Sequence, residues 1–294
     1  MGITERQMKI PTTLDEQVEL LKARGCKIYD EIVAKDFLKR VGYYRFSGYF
    51  HIFKNSDNLF AEDVTFSKLS SAYSFDQELR ALIVRVISEV ELTAKSLLSY
   101  HHSHLYGADG YREASSFSEK HDHPKFLRQL DSVVKKNSTT PFVKHHLIEY
   151  DGRFPLWVAT ELFTMGMVSL FYADLQLAEK KAIAKEYGTD DIFLESWLHS
   201  TTVLRNICAH YARVYPTAFR QPPRLPRSYT KNKEIGAYSL GRQLCMLKLL
   251  HINAKQEWNN GFVLPLAALI EKYDDAIDRK LMGLPDNWEK TLTW

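Results

Sequence analysis

Apolar positions recur with a helical period along most of the chain. Between Ser67 and His104, residues Leu79, Leu82, Ile83, Val86, Val90, Ala94, Leu97 and Leu98 repeat at close to 3.6-residue spacing. The pattern predicts one long helix with Arg85, Ser88, Glu89 and Ser96 on its solvent side. Asp76, Arg80 and Glu91 fall at the margin of the apolar arc, where a charge needs a partner. Asp76 with Arg80, and Glu91 with Lys95, have the i, i+4 spacing that permits local pairing. Residues 155–172 are apolar nearly all round, which predicts a central buried helix with Pro155 in its first turn. Glu161 shares a stripe of that helix with Trp157, Met165 and Val168. A buried carboxylate there calls for an arginine, and Arg205 or Arg80 is expected to supply it.

The remaining periodic segments are shorter. Residues 12–40 predict two helices, the first opened by a Thr13/Glu16 capping box and stopped near Gly25. Further helices are expected over 125–136, 142–150, 190–215, 235–251 and 262–280. Polar, turn-rich stretches at 55–67 and 107–124 separate them, and 219–233 reads as an irregular loop.

Composition narrows the class. In 294 residues, 45% are hydrophobic and 26% charged, as in an ordinary globular protein. No apolar run approaches the ~20 residues of a membrane span. The first sixteen residues carry no signal-peptide core, so a cytoplasmic location is expected. Cys26, Cys208 and Cys245 are odd in number and far apart, and read as reduced thiols. A net charge of +3 is too small for a global attraction to nucleic acid, so RNA binding would need locally clustered charge.

Candidate chemistry gathers in three places. Residues 203–216 read Val-Leu-Arg-Asn-Ile-Cys-Ala-His-Tyr-Ala-Arg-Val-Tyr-Pro, a helix end with Pro216 as its stop. Leu204, Ile207, Cys208, Tyr211 and Tyr215 form an apolar spine, and Asn206, His210 and Arg213 line the opposite face. Arg205 flanks that polar stripe, about 140° around the axis from His210. Two readings stand: polar groups presented for chemistry, or polar groups satisfied inside a helical core. The second place is Gly42-Tyr-Tyr-Arg-Phe-Ser-Gly-Tyr49, where Tyr43, Tyr44 and Arg45 suit base stacking and phosphate contact. Packing against the main core is the competing reading for most of these tyrosines. The third is the loop after the motif, with Arg220, Arg224, Arg227 and Lys231 as candidate backbone contacts. The histidine groups 101/102/104, 121/123 and 145/146 lack ligand spacing for a metal, and no phosphate-binding glycine loop is present, so no cofactor is expected.

The Arg-x4-His segment resembles the signature of HEPN ribonucleases. The longer word Leu-Arg-Asn-Ile-Cys-Ala-His-Tyr-Ala-Arg resembles the Abi family of abortive-infection proteins, of the AbiD/AbiF type. Four further words are similar to that family in the expected order: Gly-Tyr-Tyr-Arg-x-Ser-Gly-Tyr, Phe75-Asp-x-x-Leu-Arg80, Pro155-x-Trp-x-x-x-Glu161 and Met282-Gly-Leu-Pro-Asp-Asn-Trp288. Lys95 stands where the family pattern has Arg. The resemblance implies an all-α, HEPN-like helical bundle with additional N- and C-terminal helices. The chain then divides into an N-terminal helical segment (1–60), a core (61–220), and a basic loop with C-terminal helices (221–294). It also implies a toxin-like antiphage protein acting on RNA and paired with a small non-coding RNA antitoxin. Arg205, Asn206 and His210 then become the catalytic set, supported by Glu161, Arg80, Glu91 and Arg213. One imidazole serves poorly as both base and acid, so a homodimer with a composite site is expected. The rival expectation is a non-catalytic RNA-binding protein of the same fold.

Overall fold

A computed structural model of the chain describes Met8 and residues 10–230 and 235–294. Among them all regular structure is helical; three isolated β-bridges occur and no sheet. The chain forms two compact units. The smaller comprises residues up to Glu78 with Leu269–Asp278, and the larger comprises Leu79–Ala268 with Arg279–Trp294.

In the smaller unit, α1 (Leu14–Ala23) opens on the expected capping box: Thr13 Oγ1 accepts from Glu16 N–H, and Glu16 accepts from Thr13 N–H at 2.7 Å. Gly25 follows with φ +91°, a conformation that favours glycine. The second helix, α2 (Glu31–Val41), is capped by Asp30, which accepts from two backbone N–H groups. Gly42 (φ +82°) turns the chain into the short α3 (Tyr43–Ser47). Phe37, Phe46, Phe50 and Phe66 meet edge-on or tilted around Leu21, Leu38 and Leu69. Tyr49 is buried here and its hydroxyl donates to buried Asp76 at 2.6 Å. Asp76 lies in the third turn of a 41-residue helix, α4 (Phe66–Tyr106), close to the predicted bounds. Glu78 accepts from Lys272 at 2.8 Å and from Tyr273 at 2.7 Å.

In the larger unit, α4 buries Leu79, Ile83, Val86, Ile87, Val90, Ala94 and Leu98 and exposes the predicted solvent face. Glu91 pairs with Lys95 at 3.0 Å, as the spacing suggested. Two short helices follow, α5 (His123–Lys136) and α6 (Pro141–Glu149). The apolar stretch from Pro155 is not one helix. It forms α7 (Leu156–Ala159), a 3₁₀ turn (Thr160–Leu162), an extended Phe163, and α8 (Met165–Asp174). Thr164 causes the break: its side chain caps α8 by accepting from Met167 N–H, and an N-cap must leave helical geometry. The broken axis overturns the stripe drawn through Glu161. Glu161 lies exposed on the 3₁₀ turn, and Trp157 is 52% exposed. The carboxylate therefore needs no buried arginine.

Beyond α9 (Leu177–Glu186) comes α10 (Asp191–Ala209), which packs against α8, α9 and α12 (Leu240–Leu250). A single turn, α11 (Arg227–Thr230), interrupts the basic loop. The expected 235–251 helix starts only at Leu240, where Ser239 caps it. The expected 262–280 helix begins earlier, as α13 (Lys255–Trp258), and runs through a π-helical turn (Asn259–Val263) into α14 (Leu264–Lys272). The last helix is α15 (Trp288–Leu292). Gly241 lets α12 meet the chain near Gly283, since a Cβ there would lie 2.6 Å from the Gly283 carbonyl oxygen. Cys26, Cys208 and Cys245 are free and buried. No helix among the described residues is long and apolar enough to cross a membrane.

Candidate functional site

The site is built on the C-terminal half of α10. Leu204 and Cys208 are buried, which turns Asn206 and His210 outward to solvent and leaves Arg205 half-buried between them and the core. Arg205 does swing toward the polar stripe: its Nη1 donates to Asn206 Oδ1 at 3.4 Å. His210 is the C-cap residue, and its backbone N–H still donates to the Asn206 carbonyl at 3.0 Å. Guanidinium, amide and imidazole are therefore displayed together at one helix end.

That helix ends six residues earlier than Pro216 suggests. Tyr211 N–H donates to Cys208 O at 3.2 Å and Ala212 N–H to Ile207 O at 2.9 Å, the paired closure of a Schellman motif. The motif puts Tyr211 in the left-handed region, φ +57°, a place usually filled by glycine. Two expectations fail as a result. Tyr211 leaves the apolar spine and stands 68% exposed, whereas Tyr215 is buried. Arg213 lies beyond the helix, so it is not the i+7 member of the stripe; its carbonyl accepts from Thr217 Oγ1 at 3.0 Å. The segment after His210 is held from another side. Arg80, 5% exposed on α4, directs Nη1 toward the Ala212 carbonyl at 3.5 Å. Of the residues expected to support the motif, Arg80 is thus brought to it. Glu91 pairs instead with Lys95, and Glu161 faces solvent.

The basic loop is fixed by its backbone among the described residues. Trp197 on α10 donates its indole N–H to the Arg224 carbonyl at 2.6 Å, and Arg224 N–H donates to Ser196 Oγ at 2.9 Å. His199 meets Gln221 Oε1 at 2.7 Å, and Arg242 Nε donates to the Pro223 carbonyl at 2.8 Å. Burial lowers the Arg242 guanidinium below its ordinary value, but an arginine keeps its charge throughout the physiological range. Arg220, Arg224 and Arg227 are exposed on this anchored frame. Lys231 lies outside the described residues. Ser196, Trp197 and His199 were not singled out from sequence. The available signal was Trp197 itself, because a buried indole N–H requires an acceptor.

In the smaller unit the tyrosines divide. Tyr44 is 92% exposed and Arg45 is exposed. Tyr43 is half-buried: its ring meets Phe50 edge-on and its hydroxyl accepts from Arg24 at 2.9 Å. Burial raises the Tyr43 phenol above its ordinary value. Among the described residues no group of three or more His, Cys, Asp or Glu is arranged to hold a metal ion.

A family model described as Abi-like protein matches residues 36–216, more than half of the chain. The chain belongs to the Abi-like protein family. Membership points to abortive infection, a form of antiphage defence. The match contains the Gly-Tyr-Tyr-Arg word, all of α4 and the whole α10 motif, and it stops at Pro216, before the basic loop. No curated protein and no solved structure matches the chain.

Proposed function

We propose that this Abi-like protein is a metal-independent endoribonuclease of the HEPN type, acting in antiphage defence under the control of a small non-coding RNA. The observation that carries the reading is the exposed His210 imidazole at the α10 terminus, with Arg205 and Asn206 beside it. His210 takes the proton of a ribose 2′-hydroxyl as that oxygen attacks the adjacent phosphorus. The P–O2′ bond forms, the P–O5′ bond breaks, and a second imidazole protonates the departing 5′-oxygen. Products are a 2′,3′-cyclic phosphate and a 5′-hydroxyl. Arg205 stabilises the charge gathered on the phosphoryl oxygens, and Asn206 holds Arg205 in place. A second copy of the chain supplies the second imidazole, so the working form is a homodimer.

Purified, RNA-free protein incubated with labelled single-stranded RNA in EDTA tests this. Cleavage is expected, and His210→Ala and Arg205→Ala should each abolish it while the helical circular dichroism is retained. Undiminished cleavage by both variants rejects the assignment. The anchored loop supports a second reading, a non-catalytic RNA-binding protein, because Arg220, Arg224 and Arg227 stand exposed on a fixed backbone suited to phosphate contact. Salt-sensitive RNA binding without cleavage in the same assay selects it.

A further inference from the structure

Away from the α10 motif, the larger unit contains a cavity of about 450 Å³ between α4 and the segment His251–Phe262. Arg85 and Glu89 reach it from one turn of the exposed face of α4. Across it lies His251, only 6% exposed. Its Nδ1 donates to the Leu247 carbonyl at 2.8 Å, and a carbonyl only accepts, so the ring proton sits on Nδ1. That leaves Nε2 buried with no hydrogen-bond partner, 3.6 Å from a Glu89 carboxylate oxygen. A buried ring nitrogen with no hydrogen-bond partner, lining a cavity, marks a place where a ligand gains a bond that the protein alone does not make.

The opposite wall is the π-helical turn Asn259–Val263. Such turns re-aim side chains and recur at functional sites. Gly261 is the point of close approach, since a Cβ there would lie 3.4 Å from Arg85 Nη2. Trp258 and Phe262, stacked at 4.6 Å and 27°, form an apolar base beneath. Glu257 also lines the space, so one guanidinium faces two carboxylates beside the imidazole. That balance disfavours a polyanion such as a triphosphate. It suits a neutral, flat ligand with donors and acceptors side by side.

We propose that this cavity binds a guanine base. Its N1–H and 2-amino group donate to a carboxylate, and its O6 and N7 accept from a guanidinium. Glu89 and Arg85, one turn apart, offer that pair, and His251 Nε2 accepts a remaining amino hydrogen. Adenine lacks the paired donors a carboxylate requires. The volume accommodates a whole nucleoside. The base comes either from a free nucleoside or from an unpaired guanine in an RNA strand; only the second source rests on the ribonuclease reading.

Calorimetric titration of the full chain decides, using guanosine, inosine and adenosine, and then the pentanucleotides UUGUU and UUAUU. Guanosine should bind at least tenfold more tightly than inosine, which lacks the 2-amino group, and than adenosine. Glu89→Gln should weaken binding tenfold or more, and Gly261→Met, which fills the cavity, should abolish it. Thermal melts confirm that both variants fold. Silence with nucleosides but a UUGUU preference lost in the same variants assigns the base to an RNA strand. No guanine preference in either format, or one that survives both variants, overturns the proposal. His210 and Arg205 are intact in these variants, so nucleoside binding and RNA cleavage succeed or fail separately.

Discussion

Tyr211 occupies the position after the helix C-cap with φ +57°, where a side chain crowds its own backbone. It is 68% exposed, so little burial offsets that crowding. Tyr211→Gly should therefore stabilise the protein by about 0.5–1 kcal/mol, the relieved strain less the added unfolded-state entropy. A rise in the urea midpoint at unchanged slope is the expected reading. A lower midpoint would show that the tyrosine side chain contributes more than its backbone costs. The strain also sits next to His210, and backbone strain concentrates where side chains must be aimed. Loss of RNA cleavage in Tyr211→Gly, together with a gain in stability, is the outcome expected if the left-handed turn orients the imidazole.

At the scale of elements, Trp197 ties α10 to the basic loop through a single indole hydrogen bond to the Arg224 carbonyl. Trp197→Phe leaves that acceptor without its donor and should cost about 1–3 kcal/mol, beyond the loss of packing. Hydrogen exchange should then accelerate at Arg224, whose N–H donates to Ser196, before it does in α4. Unchanged exchange there would mean that the loop is held elsewhere. The long elements were legible in the sequence because their signal is additive. Many apolar positions define α4, and Thr13 with Glu16 defines the start of α1. What failed were the ends and breaks, each decided by one residue. Thr164 reads as one more tolerated position in an apolar run, yet its oxygen caps α8 and breaks the helix. Pro216 reads as the helix stop, yet a Schellman closure at Tyr211 acts first. The site shared this limit: Asn206 and His210 came out as displayed, because their face is set by the period. Arg213 and Glu161 did not, because each lay past an unseen break.

Across the whole molecule, several acidic protons are buried. Burial pushes the Cys26 thiol up to about 11 and the Cys245 thiol up to about 12. It likewise raises the Tyr229 phenol to about 12, and lifts those of Tyr172 and Tyr187 well above the ordinary phenol value. The sign is common to all five groups. Each holds its proton more tightly folded than unfolded, so its contribution is fully present below the unfolded value. That contribution declines as pH rises through the unfolded value toward the folded one. The unfolded thiols begin to ionise near their ordinary value of 9.0, so the loss should start there. For Cys245 alone, working at about pH 10.5 removes about 2 kcal/mol, at about 1.4 kcal/mol per unit. Urea midpoints at pH 8 and about pH 10.5 should fall steeply between the two, and Cys245→Ala should shrink the fall. In the native state at pH 8, Cys26 and Cys245 should resist a thiol reagent that modifies them at once in urea, because the buried neutral thiol is not the nucleophile. A flat midpoint across that range, or rapid native modification of both thiols, would mean that these groups are reached by water and that the packing around Cys26 and around Cys245 on α12 opens readily.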